Sequence, residues 1–161
     1  MTVTKLKELI RKIVAEARQL NAAHTDERDA PVNYACIFAQ STAEYEELID
    51  AAGQLGSVVE DTAMGPVFHI APLSTDAGML PLLKVRRPDP KRTERGDADF
   101  TVTDYDTFKK TYLGKPGFNL IRRPKMEMIE LIDPSFNILA YYSYPILADV
   151  LKLNIDIKLG R

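Results

Sequence analysis

The sequence predicts an α+β fold of two tandem βαβββ units forming curled mixed sheets, preceded by an N-terminal amphipathic helix. Three observations carry this reading. An apolar stripe at helical spacing runs through residues 4–21. From residue 32 the pattern becomes an apolar strand, a capped helix and three more strands separated by turn residues. The same order returns from residue 97, and two similar stretches of about 60 residues point to a duplication. The chain of 161 residues is then expected to be a single domain, 1–161: helix 4–21, first unit 32–88, second unit 97–144 and tail 145–161.

In the first helix Leu6, Leu9, Ile10, Ile13, Val14, Ala17 and Leu20 recur every three or four residues, with charged residues between them. Such a face is expected to dock on the chain's own core or on a second copy. The polar stretch 22–31 reads as a linker, and residues 32–39 as a strand. Ser41-Thr42-Ala43-Glu44 has the form of a capping box. Tyr45, Leu48, Ile49, Ala52 and Leu55 give the next helix one buried face, with Gly56 suited to its C-terminal end. Strands are predicted at 57–61, 66–72 and 79–87, with turns at Met64-Gly65-Pro66 and Asp76-Ala77-Gly78.

In the second unit residues 97–103 alternate, with Ala98, Phe100 and Val102 on one face and Asp97, Asp99 and Thr101 on the other. Asp104 is positioned to cap a helix to about residue 113. Gly114 and Pro116-Gly117 end it, and strands at 118–123, 126–132 and 137–144 complete the unit. A short helix around Ile146, Leu147, Val150 and Leu151 falls in the tail.

Composition narrows the function classes. The chain is 45% hydrophobic and 27% charged, with a net charge of −2 from 21 basic and 23 acidic residues. A near-neutral balance argues against generic nucleic-acid binding, which needs a strongly basic face. A single cysteine, Cys36, leaves no disulfide framework and no thiolate metal cluster; in its apolar strand it reads as a small hydrophobe. No stretch reaches the ~20 apolar residues of a membrane span. A cytoplasmic protein without membrane association is expected.

Short motifs add a resemblance. The first helix of the first unit opens with Glu44-Tyr45-Glu46-Glu47-Leu48. A strand ending in Pro88-Asp89-Pro90 comes shortly before Asp97-Ala98-Asp99-Phe100. In this, and in its order of elements, the chain resembles the vicinal oxygen chelate (glyoxalase-like) superfamily over residues 32 to about 147, and within it the YecM-like proteins. The resemblance implies a cup between the two units. It also implies a divalent metal held by residues of the first and last strands of each unit, polarising vicinal oxygens of a substrate.

Carried over by position, those sites fall on Asn33 (or Tyr34 after a one-residue shift), Arg86, Asp97, and Ser143 with its neighbours Tyr142 and Tyr144. The chain departs from the pattern here. Asn, Arg, Asp and Ser make a poor set, since a guanidinium repels a divalent ion. No metal and no other cofactor is therefore expected.

Other groups offer chemistry. His24 reads as solvated surface in the linker, and His69 as a half-buried structural side chain opposite Phe68 and Ile70. His69, Asp97 and Ser143 could form a triad on paper, but no nucleophile motif accompanies them. Lys84 and Arg86 share a strand face, so if Leu83 and Val85 pack on a helix, these cations point into the cup. There they would bind a carboxylate or phosphate. Lys91, Arg92 and Arg95 read as solvated loop. Tyr142 and Tyr144 share one strand face, Tyr141 and Ser143 the other.

Two functions from different classes follow. In the first, a metal-free cup binds a small anionic ligand, with or without turnover, through Asn33, Lys84, Arg86, Asp97, Asp99 and either Tyr142 or Ser143. In the second, a cup filled by its own side chains belongs to a non-enzymatic interaction protein that pairs as a homodimer. If the four positions carry over, Arg86 is expected to pair directly with Asp97 where a metal would have bridged their counterparts.

Overall fold

The computed structural model describes residues 1–155. Helix α1 (Val3–His24) starts where the Thr2 hydroxyl accepts the Lys5 amide hydrogen at 3.1 Å. The first unit follows as β1 (Val32–Phe38), α2 (Thr42–Leu55), β2 (Gly56–Thr62), β3 (Gly65–Thr75) and β4 (Gly78–Arg86). The second unit is β5 (Gly96–Phe100), α3 (Tyr105–Tyr112), β6 (Phe118–Arg122), β7 (Glu127–Leu131) and β8 (Ile138–Tyr144); a short α4 (Leu147–Val150) comes last. The C-terminal end of the predicted tail, 156–161, lies outside the described residues.

All eight strands join one mixed sheet in the order β2-β3-β4-β1-β5-β8-β7-β6. Each unit contributes the same motif: its first strand runs parallel to its last, and the other contacts are antiparallel hairpins. The halves meet where β1 pairs antiparallel with β5, with Ala35 opposite Ala98 and Cys36 opposite Asp97. This is the α+β pair of βαβββ units with an added N-terminal helix that the sequence predicts.

Helices α1, α2 and α3 lie on one face of the sheet. There Ile37, Leu83, Val85, Ala98, Phe100, Ile129, Ala140 and Tyr142 form a single apolar core with Leu6, Ile10, Ile13 and Leu48 of the helices. α1 packs on β8, β5, β1 and β3, so it crosses both units instead of sitting on a second copy. Its one buried polar side chain, Asn21, is satisfied by Thr25, by Tyr142 and by the Glu27 carbonyl.

Three local readings need correction. α1 runs to His24, so that histidine is in a helical last turn, 2.9 Å from Asp133, and not in a solvated linker. Glu44 returns its carboxylate to the Gln40 amide, one residue before the Ser41 cap, because the same carboxylate also holds Arg95. Gly56 ends α2 as expected, in an extended conformation (φ −176). It is needed for a close approach, since a Cβ there would lie 1.9 Å from the His69 carbonyl oxygen. His69 itself is exposed, on the outer part of β3.

Candidate functional site

The face of the sheet opposite the helices is the expected cup. Alternation along β4 sends Leu83 and Val85 to the helices and Leu82, Lys84 and Arg86 to the open face. On β1 the same rule puts Tyr34, Cys36 and Phe38 there, and on β8 it puts Leu139, Tyr141 and Ser143 there. The register aligns one row across five strands: Val67, Lys84, Cys36, Asp97 and Leu139. Lys84 and Asp97 are thus two strands apart, about 10 Å between Cα atoms at sheet spacing, a gap a lysine chain can span.

Asp97 is the unusual member of this row. It is 5% exposed, and its Oδ1 finds no hydrogen-bond partner among the described residues. Burial, then the charge of Asp99, push its pKa up to about 8, against the pull of Lys84, Arg86 and Arg92. At neutral pH it holds a proton and can donate a hydrogen bond. Lys84 has no carboxylate within 4.0 Å among the described residues. Cys36 is buried beside them with its pKa raised, first by burial and then by Asp97, which suits a packed thiol and not a nucleophile.

Asp99 sits in a second network. Asn33 Nδ2 donates to Asp99 Oδ1 at 3.0 Å and to Thr101 Oγ1 at 3.1 Å, and the Ser143 hydroxyl and amide both donate to the same carboxylate. Burial raises Asp99 to about 6, and these donors hold it below Asp97. Asn33 reaches it because the pairing of β1 with β5 shifts register between Val32 and Tyr34. That irregularity brings both Asn33 and Tyr34 to this face, although sequence alternation alone makes them alternatives. Asn33 Oδ1 is a second buried atom without a partner among the described residues. A cavity of about 330 Å³ borders this network at Thr101 and Ser143, with Val102, Tyr105, Tyr144 and Ile146 among its other walls.

The structure brings together Asn33, Lys84, Arg86, Asp97, Asp99 and Ser143, and leaves out Tyr142. Tyr142 is on the helix face, where its hydroxyl donates to Asn21 Oδ1 at 2.6 Å and its ring packs on Phe108. Arg86 does not pair with Asp97. Its guanidinium bonds Asp89 at 3.0 Å and lies 4.9 Å above the Phe38 ring. Asp89 is three residues away in a proline-flanked turn, so this pairing closes a very short loop and costs little entropy.

His69 is exposed on β3, with Ser143 bonded to Asp99, so the paper triad of His69, Asp97 and Ser143 does not form. Arg92 and Arg95 are not solvated loop either. Arg92 donates to Glu130 Oε2 at 3.0 Å and to the Tyr141 hydroxyl at 3.2 Å, and Arg95 grips Glu44 with both nitrogens. Tyr34 thus joins the face as well as Asn33, Tyr141 joins it beside Ser143, and Glu130 and Arg92 join it unpredicted. Only Glu130, at an inward position of β7, left a signal: a carboxylate among apolar neighbours Met128, Ile129 and Leu131.

The residues present do not fit the divalent metal that the resemblance implies. Among the described residues no group of three or more His, Cys, Asp or Glu converges as a ligand set. The carboxylate nearest the implied position, Asp97, is flanked by cations that would oppose an ion.

Comparison with known proteins agrees on fold alone. A solved chain titled "Structural Genomics, Protein EC4020" aligns with TM-score 0.70 and 10% identity, covering 92% of this chain and 91% of that one. The crystal structure of methylmalonyl-CoA epimerase from Mycobacterium tuberculosis aligns at TM-score 0.39 and 14% identity over 70% of this chain and 86% of that one. No protein-family model and no curated protein matches the chain. No described helix is long and apolar enough to cross a membrane.

Proposed function

We propose that this chain is a metal-independent member of the glyoxalase-like group that binds a small anionic ligand on the cup floor. One observation carries the reading: a buried Asp97 with an unpartnered oxygen shares a row with Lys84, which has no carboxylate partner among the described residues. Arg86 stands one position further along the same face, with side-chain exposure of 14%. An ammonium, a guanidinium and a carboxylic acid proton are three donors suited to one carboxylate or phosphate. The ligand anion would satisfy Asp97 and keep it protonated.

A second reading is a cup closed on itself. Leu147 and Ala148 of α4 cover Val67 and Leu82, and the 87–95 segment reaches across to Glu130 through Arg92. In that case the chain works through contacts with a partner or a second copy.

A thermal-shift panel of small carboxylates and organic phosphates separates the two, with native mass spectrometry of freshly purified protein to seek a retained anion. The expected result is a stabilising anion whose effect disappears in Lys84→Met and persists in Asp97→Asn. Its affinity should fall as pH rises past about 8, where Asp97 loses its proton. A panel that shifts nothing, or shifts the wild type and a Lys84→Met/Arg86→Met variant equally, would leave the closed cup as the reading.

A further inference from the structure

At the edge of the second unit, away from the cup floor, a cavity of about 410 Å³ opens beneath the tip of the β6–β7 hairpin. Its charged lining is Lys109, Arg122, Arg123 and Lys125 against Asp106 and Glu127. Glu127 is already occupied: Lys109 Nζ and the Tyr105 hydroxyl each bond its Oε2 at 2.8 Å. The Lys109 bond, first among several contacts, holds its pKa low, so it stays ionised. Subtracting that pair leaves three cations facing one exposed carboxylate, Asp106. None of the three has a carboxylate within 4.0 Å among the described residues.

The same cavity has an aromatic wall. Tyr144 is 60% exposed, the most exposed large apolar side chain among the described residues. One face of its ring is stacked on Tyr105, with centroids 5.3 Å apart and planes 19° apart. That stack orients the ring and leaves its other face to the solvent. An exposed, pre-oriented ring beside unpaired guanidinium groups offers stacking to a planar group and bidentate hydrogen bonds to an oxyanion.

We propose that this pocket is a second binding site, for a nucleoside monophosphate: the base on the free face of Tyr144, the phosphate at Arg122, Arg123 and Lys125. The site shares Tyr105 and Tyr144 with the cavity beside the Asp99 network, but its cations are its own and it uses none of Lys84, Arg86 or Asp97. Its volume suits one nucleotide.

The test is calorimetric titration of the full chain with AMP, adenosine and inorganic phosphate separately, with amide chemical-shift mapping of each complex. AMP should bind more tightly than either fragment and shift the amides of Arg122, Arg123 and Tyr144. Tyr144→Ala should weaken AMP about tenfold, the scale of losing one base–aromatic stack, and leave inorganic phosphate unchanged. Tyr144→Phe should retain AMP binding. Arg122→Ala/Arg123→Ala should weaken AMP binding and abolish the shift that phosphate causes at the Tyr144 amide. Tyr144, Arg122 and Arg123 are exposed side chains, so folding is not at stake. Equal affinity for AMP and inorganic phosphate, AMP binding that survives Tyr144→Ala, or no AMP binding at millimolar concentration would overturn the proposal. An oligonucleotide that binds with no dependence on Tyr144 would overturn it too, since the cluster would then be a nonspecific polyanion surface.

Discussion

Asp97 and Asp99 show how one strand face can hold two carboxylates in different states. Asp99 has three donors on it and Asp97 has none on its Oδ1, so burial raises the second further. The consequence for stability has a definite sign. Asp97 keeps its proton to about pH 8 in the fold but releases it near 3.8 when unfolded. Between those values the native state binds more protons than the unfolded chain, so stability falls as pH rises through that window. Asp99, raised to about 6, acts in the same direction over the lower part of it. Urea unfolding should therefore show declining stability from pH 5 to 8, at up to about 1.4 kcal/mol per pH unit from Asp97. Asp97→Asn should flatten the decline; an unchanged slope in that variant would place the titration elsewhere.

Among the elements, the β1–β5 seam is the critical joint, because it alone pairs the two units within the sheet. Gly96 opens β5 there with its α-carbon against β1, and a Cβ would lie 2.2 Å from the Cys36 carbonyl oxygen and 3.1 Å from Ile13 Cδ1. The Cys36 carbonyl is backbone and cannot yield without moving the register. Gly96→Ala should cost about 1–3 kcal/mol, the range of overpacked cores. Gly53 provides the contrast, exposed in the interior of α2 with nothing within 4 Å of its Cβ position. Gly53→Ala should stabilise by about 0.5–1 kcal/mol, since alanine loses less backbone entropy in a helix. Chemical denaturation of both variants checks the pair, and a harmless Gly96→Ala would mean that the seam is loose.

At the scale of the molecule, α1 is what couples the units from behind. Leu6, Ile10, Ile13, Val14, Ala17 and Leu20 are each at most 1% exposed, packed over strands of both halves. Ile10→Ala should cost about 2–5 kcal/mol and leave a single cooperative transition by circular dichroism. A loss well below 1 kcal/mol would make α1 an accessory to the sheet instead of part of its core.

Much of this architecture was legible in the residues themselves. Period-3.6 stripes, the hydroxyl and carboxylate caps at Ser41 and Asp104, and the glycine turns at 65 and 78 are local signals, and they located nearly every element to within a few residues. Strand alternation also told which side of β4 and β5 carries Lys84, Arg86, Asp97 and Asp99, because side chains alternate by covalent geometry. Partner choice was not legible. Whether Arg86 takes Asp97 or Asp89, whether Arg92 is free or holds Glu130 and Tyr141, and whether Tyr142 faces the cup all depend on which groups the completed sheet brings within a few ångströms. Alternation gives a face but not a distance, and a charge takes whichever counter-charge the packed chain puts in reach. The sequence by itself determined the order of the elements and the inward row of ionisable groups. Only the tertiary structure decided which of those groups are paired and which, like Asp97, are left with an oxygen unpartnered among the described residues.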